Sequence, residues 1–133
     1  LADVTLRPAG SLRLLVAEDE PHTRRILATL LEAAGFQVAS EETGSGALGR
    51  IRSDEPFDLV LLDLVLPDVN GLDLLRELRG LSHRKGVPVV VLTAKGQDVD
   101  RDVAFSLGAD DFFTKPFSPK KLLRRLDQLL TQD

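Results

Sequence analysis

The sequence predicts a doubly wound α/β domain built on a five-stranded parallel sheet, and three observations carry that expectation. Short apolar runs rich in β-branched residues recur five times, segments of 3.6-residue apolar periodicity alternate with them, and the middle runs are apolar throughout. Strands read that way when helices cover both faces of a parallel sheet. The first run is "LRLLVA" (12–17). The helix after it, "PHTRRILATLLEAAG", opens with Pro21 at a first helical position, places Ile26, Leu27, Leu30, Leu31 and Ala34 on one face, and stops at Gly35. "FQVAS" (36–40) is the second strand, and "TGSGALG" then starts an amphipathic helix with Ala47, Leu48 and Ile51. "DLVLL" (58–62), "VPVVVL" (87–92) and "DFFT" (111–114) are the remaining strands. The last helix, "SPKKLLRRLDQLL", has Ser118 as N-cap, Pro119 next, and Leu122, Leu123, Leu126, Leu129 and Leu130 as its stripe. Right-handed crossovers in such a sheet put all carboxyl ends on one edge, where ligands bind.

A chain of 133 residues accommodates one domain with a single sizeable core. The net charge of -4 argues against direct nucleic-acid binding by this domain. The absence of cysteine excludes disulfide and thiol chemistry and fits a reducing compartment, so the cytoplasm is the expected location. No apolar run is long enough for a membrane span, and residues 1–11 read as an N-terminal arm or linker rather than a signal peptide. A chain that opens with Leu1 and holds no methionine is expected to be a trimmed, processed or excised piece of something longer.

The strand ends hold the chemistry. Glu18, Asp19 and Glu20 follow the first strand, Asp63 the third, Thr93 the fourth, and Lys115 with Pro116 the fifth. Each has an ordinary explanation alone: an acid at a helix N-terminus, a turn residue, a solvated lysine. Two or three carboxylates on one edge, however, repel one another unless a cation or proton sits among them. Mg²⁺ suits carboxylate, carbonyl and water oxygens, and a neighbouring lysine and hydroxyl supply the donors a phosphoryl group needs. These are the parts of an aspartyl-phosphate site.

The stretches "LLVAEDE", "DLVLLDLVLPDVNGLDLL", "VVVLTAKG" and "GADDFFTKPFSP" resemble, in order and spacing, the receiver domain of two-component response regulators, over residues 12–131. The resemblance implies a flavodoxin-like sheet of order 2-1-3-4-5 and a cytoplasmic phosphoprotein of signal transduction or a phosphorelay, not an enzyme acting on a separate substrate. It implies Asp63 as phosphoacceptor, loaded by a sensor histidine kinase or histidine phosphotransfer protein. Asp19 is then a direct Mg²⁺ ligand, Glu18 acts mainly through water, and the Val65 backbone carbonyl and Asp63 complete the protein's share. Thr93 and Lys115 bind the phosphoryl group, Ala94 leaves access, and Phe112 is the switch aromatic, in place of the commoner tyrosine. Val65 and Lys95 occupy positions that tune dephosphorylation and point to slow self-hydrolysis.

Gly44, Gly46 and Gly49 form a literal G-x-G-x-x-G, but after the second strand and beside Glu41 and Glu42, which would repel a pyrophosphate. A phosphohydrolase usually carries an acid two residues after its nucleophile, where Val65 stands. His22 and His83 lack ligand-like spacing. A phosphorylation-independent docking module would be expected to lack an acid, the acceptor or the lysine, and all are present. Asp110, Asp111 and Arg125, and loosely Arg101, resemble receivers that form phosphorylation-dependent homodimers through the fourth helix, fifth strand and fifth helix to drive a DNA-binding domain. Lys121 reverses the charge usual there.

Overall fold

Alternation of strand and helix runs the length of the computed structural model, which describes residues 12–94 and 97–131. The expected arm, residues 1–11, and Lys95 lie outside the described residues. The elements are β1 Arg13–Ala17, α1 Pro21–Ala33, β2 Gln37–Glu41, α2 Gly44–Arg52, β3 Leu59–Leu62, α3 Gly71–Gly80, β4 Val89–Thr93, α4 Asp98–Ser106, β5 Asp111–Thr114 and α5 Pro119–Leu130. All pairings are parallel, in the order β2-β1-β3-β4-β5. Each predicted strand is found, within two residues of its expected bounds.

The period-two pleat sorts the apolar runs onto two faces. Leu14, Val16, Leu59, Leu61, Val90 and Leu92 point to the layer made by α1 and α5, against Leu27, Leu31, Leu122 and Leu126. Leu15, Ala17, Val60, Leu62, Val89 and Val91 point to α2, α3 and α4, against Ala47, Ile51, Leu74, Leu75, Leu78 and Ala104. Every residue of β3 and β4 is buried. This is the physical reason those runs lack polar alternation, and each large aliphatic side chain so buried contributes roughly 1.5–3 kcal/mol.

Caps set the helix ends. Glu20 accepts from the N–H groups of His22 and Thr23 before Pro21, and Ser118 accepts from Lys121 before Pro119. Gly35 follows α1 with φ 99°, a left-handed turn that suits glycine. The predicted α1 stripe is corrected at two positions. Leu27 and Leu31 are buried, but Ile26 is 43% exposed and Ala34 is exposed at the C-cap. Successive residues turn by about 100°, so a face centred on Leu27 and Leu31 leaves Ile26 at its rim.

Arg84 is 3% exposed in a loop that reads as solvated. Its guanidinium donates to the carbonyls of Ile51, Arg50 and Ser53, supplying the C-terminus of α2 with the donors its last turn lacks, and stacks 5.1 Å from the Phe57 ring centre. His83 Nε2 lies 3.0 Å from the Ser53 carbonyl, so it serves the same turn.

Candidate functional site

The carboxyl edge of the sheet brings together four of the predicted residues. β1 delivers Glu18, β3 delivers Asp63, and the bend after β5 delivers Lys115. Ladder bonds hold these ends level: Asp63 N–H donates to the Ala17 carbonyl, Glu18 N–H to that of Glu41, and Lys115 N–H to that of Thr93. One carboxylate oxygen from each of Glu18, Asp19 and Asp63 lies within 4.8 Å of the others. Glu18 and Asp63 are 1% and 5% exposed, while Asp19 is exposed.

Lys115 neutralises part of this charge. Its ammonium donates to Asp63 Oδ2 at 2.8 Å and sits 2.6 Å from Glu18 Oε1. Asp63 Oδ1 accepts from the Val65 N–H at 3.0 Å, so both oxygens of the Asp63 carboxylate are oriented. Glu18 Oε2 accepts from the Glu20 N–H. Glu18 Oε1 is different: it is buried, and despite the close ammonium no donor among the described residues is aligned to hydrogen-bond it. Burial, opposed by Lys115 and the Glu20 N–H, pushes the Glu18 carboxyl above its ordinary value. For Lys115 burial works against the charge, yet its hydrogen bond to Asp63 and its close ion pair with Glu18 outweigh it and hold the ammonium above its ordinary value.

Three carboxylates with oxygens within 4.8 Å of one another, two of them buried and sharing a single lysine, fit a hard divalent cation, so the residues present suit Mg²⁺. The donors are all oxygen, which disfavours softer metals.

Thr93 ends β4 fully buried and faces Thr114 in register, with Ala94 exposed just beyond it. Phe112 pairs with Val91 and is 8% exposed, packed in the same core layer as Ala104 and Ala109. Val65 is 54% exposed, at the rim. His22 and His83 are not part of this cluster.

The loop after Asp63 contains a feature the sequence did not disclose. Asp68, at φ 69°, turns its carboxylate onto the N-terminus of α2, accepting from the Gly44 and Ser45 N–H groups. A Cβ at Gly44 would lie 2.4 Å from Val69 Cβ, so that glycine permits the loop to close on the helix. The G-x-G-x-x-G segment therefore does begin a helix, and its anion position is filled from within the chain.

The model of the response regulator receiver domain matches residues 14–127. The chain belongs to the response regulator receiver family. It is 41% identical over 118 residues to the transcriptional regulatory protein CpxR homolog of Haemophilus influenzae, covering 89% of this chain and 50% of that one. It is 46% identical over 114 residues to the DNA-binding response regulator MtrA of Mycolicibacterium smegmatis, covering 86% and 48%. The chain thus spans about half the length of these relatives. Among solved structures it resembles the receiver domain of a sensor histidine kinase from Pseudomonas aeruginosa, at TM-score 0.83 and 27% identity over 91% of this chain and 98% of that one. That receiver is described with a magnesium ion coordinated in its active site cleft. A receiver is a signalling domain, and no helix among the described residues is long and apolar enough to cross a membrane.

Proposed function

We propose that this receiver, residues 12–131, takes a phosphoryl group from a phosphohistidine onto Asp63 in a Mg²⁺-dependent reaction and passes the change to an output domain or partner in the cytoplasm. The observation that carries the reading is the convergence of Glu18, Asp19 and Asp63 within 4.8 Å, with Lys115 bonded to the acceptor. An Asp63 oxygen attacks phosphorus, the P–N bond to the donor imidazole breaks, and the imidazole leaves with the electron pair. Lys115, bonded to Asp63 Oδ2, would bind a phosphoryl oxygen, and Thr93, at the end of the neighbouring strand, would supply a hydroxyl once the group arrives. Bound through Glu18, Asp19, Asp63 and the Val65 carbonyl, Mg²⁺ would supply neutralisation of the charge that develops on the phosphoryl oxygens. Thr93 and Phe112 are the proposed switch pair, with Ala94 leaving room for the group. The packed position of Phe112, without a hydroxyl to expose, makes its signal one of packing alone.

The donor is a sensor kinase or histidine phosphotransfer protein, whose imidazole must reach Asp63. Beside that residue's lysine lies a hollow of about 460 Å³ lined by Thr23, Ile26, Lys115, Pro116, Phe117 and Pro119, in which exposed Ile26 offers the donor an apolar anchor.

Intact mass after incubation with acetyl phosphate tests the reading. One phosphoryl group is expected with Mg²⁺, none with a chelator and none in Asp63→Asn; uptake by Asp63→Asn would sink it. The exposed valine at position 65, with Lys95, is proposed to make loss of the group slow, and the same mass series followed in time checks that. A docking module independent of phosphorylation remains the alternative if beryllofluoride, too, fails to bind.

The output face is proposed to be the edge of the sheet. Among the described residues β5 pairs only with β4, and α4 and α5 flank it on opposite faces. Asp111 and Arg125 are paired at 2.8 Å and Asp110 with Arg79 at 3.0 Å, so these charges are engaged within the chain. The two helices differ in net sign: α4 carries Asp98, Asp100 and Asp102 against Arg101, and α5 carries Lys120, Lys121 and Arg124 against Asp127, besides the paired Arg125. A two-fold axis parallel to β5 sets α4 of one copy against α5 of the next, acid against base, which gives Lys121 a use. Light scattering is expected to show a dimer with beryllofluoride, salt-sensitive and weakened by Lys121→Glu; a monomer in both states counts against it.

A further inference from the structure

We infer that Arg24, outside the cluster of acids, is the positioning residue that aims Asp19 at the metal. The inference rests on the metal role proposed for Asp19. Asp19 is exposed, so its direction depends on the backbone that carries it. Arg24 lies on the first turn of α1, where its N–H bonds to the Glu20 carbonyl. Its Nη1 donates to the carbonyl oxygens of both Glu18, at 3.0 Å, and Asp19, at 3.1 Å. Those carbonyls belong to the two peptide planes that flank the Asp19 Cα. Fixing both planes fixes φ and ψ of Asp19, and with them the direction of its Cα–Cβ bond.

The guanidinium is itself held from the far side. Its Nη2 lies 3.2 Å from Glu42 Oε2, just past the end of β2, and the side chain is 22% exposed. A rigid fork reaching two carbonyls and a carboxylate at once suits arginine; a lysine ammonium is a point charge that meets one such group well. Arg24 thus links α1, the acidic loop and the end of β2.

A second role for the same residue predicts the opposite sign. As a mere positive charge near a cation site, Arg24 would repel Mg²⁺, and its removal would tighten binding. As a positioning residue, its removal loosens binding, and partners of this kind typically cost about 10–100-fold in metal affinity when lost.

Calorimetric titration of Mg²⁺ into the unphosphorylated chain separates the two, with Arg24→Gln and Arg24→Lys beside the wild type. Weaker binding in both variants, by about 10-fold or more, is the expected result. Tighter or unchanged binding in Arg24→Gln overturns the inference, and wild-type affinity in Arg24→Lys overturns the argument from the fork. Melting of the metal-free proteins is measured alongside: a purely structural role lowers the melting temperature and leaves Mg²⁺ affinity in the folded range untouched. If Arg24→Gln fails to fold, the lysine variant decides. Failure of the wild type to bind Mg²⁺ would instead remove the metal reading on which the inference stands.

Discussion

Lys115→Met is expected to lower the stability of the metal-free receiver at neutral pH by about 3 kcal/mol. Breaking a buried ion pair costs roughly 3–5 kcal/mol, and the lower end applies because the lysine side chain is 19% exposed. Methionine replaces the volume of the stem, so the loss is mainly electrostatic: two carboxylates, 1% and 5% exposed, are left facing each other. One of them then gains by taking up a proton. The Glu18 carboxyl is already raised by burial in the intact protein, and removing the lysine raises it further. A group whose pKa is higher folded than unfolded stabilises the fold below its unfolded value and loses that contribution as pH rises through the folded one. The deficit of the variant should therefore be small near about pH 4 and full at neutral pH. Mg²⁺ should reduce it, since a ligand that binds only the folded state at 100 times its Kd adds about 2.7 kcal/mol. Glu18→Gln is the converse: it leaves a neutral Asp63–Lys115 pair, so metal-free stability should rise while Mg²⁺ affinity falls. Urea titrations at two pH values, with and without Mg²⁺, check all four expectations, and a pH-independent Lys115→Met deficit would show that the acids are not coupled as described.

How far these residues could be read from the sequence depends on how local each signal is. β3 and β4 are apolar throughout because both faces are covered, so an acid at the end of "DLVLL" stands out without any tertiary knowledge. The same holds for Lys115 after "DFFT". Parallel topology then levels the strand ends, and Glu18, Asp63 and Lys115 meet. What could not be read is carried by long side chains crossing between elements. Arg84 looks like one charge in the polar loop "SHRKG", yet it caps a helix about 30 residues earlier, as its bonds to Ile51 and Ser53 show. Arg79 likewise reaches the carbonyls of Val87 and Gly108 and the carboxylate of Asp110, tying the end of α3 to the loops before β4 and β5. Asp68 fills the α2 N-terminus from the loop after Asp63, a contact between two loops that no local pattern in the glycine motif reveals. Ile26 falls outside the buried stripe because periodicity defines a face only to within a residue or so at its rim.

Gly71→Ala is expected to cost about 3 kcal/mol, the upper end of the usual overpacking range of roughly 1–3 kcal/mol, although helical glycine normally loses to alanine by about 1 kcal/mol. The first residue of α3 lies against the end of β3: a Cβ there would sit 2.5 Å from Leu64 Cα, 2.6 Å from the Asp63 carbonyl oxygen and 2.9 Å from that of Leu64. All three are backbone atoms, so no side chain can rotate away. Nor is φ the constraint, since the positive-φ glycines among the described residues are Gly35 and Gly108. Gly49, inside α2 with nothing within 4 Å of its Cβ position, provides the control, and Gly49→Ala is expected to stabilise by up to about 1 kcal/mol. Relief of the clash at Gly71 must move α3 away from β3 or displace the Asp63 peptide. The Gly71 N–H to Leu64 carbonyl bond, 3.0 Å long, and the Asn70 cap on the Leu72 N–H resist the first movement, so part of the strain falls on the second. Phosphorylation by acetyl phosphate should then slow by about 100-fold even where the variant is still folded, because a displacement near 1 Å costs that much in an aligned displacement reaction. A Gly71→Ala protein that is merely less stable, with an unchanged rate below its melting range, would place the whole strain in α3 and free the geometry of Asp63 from the helix packed against it.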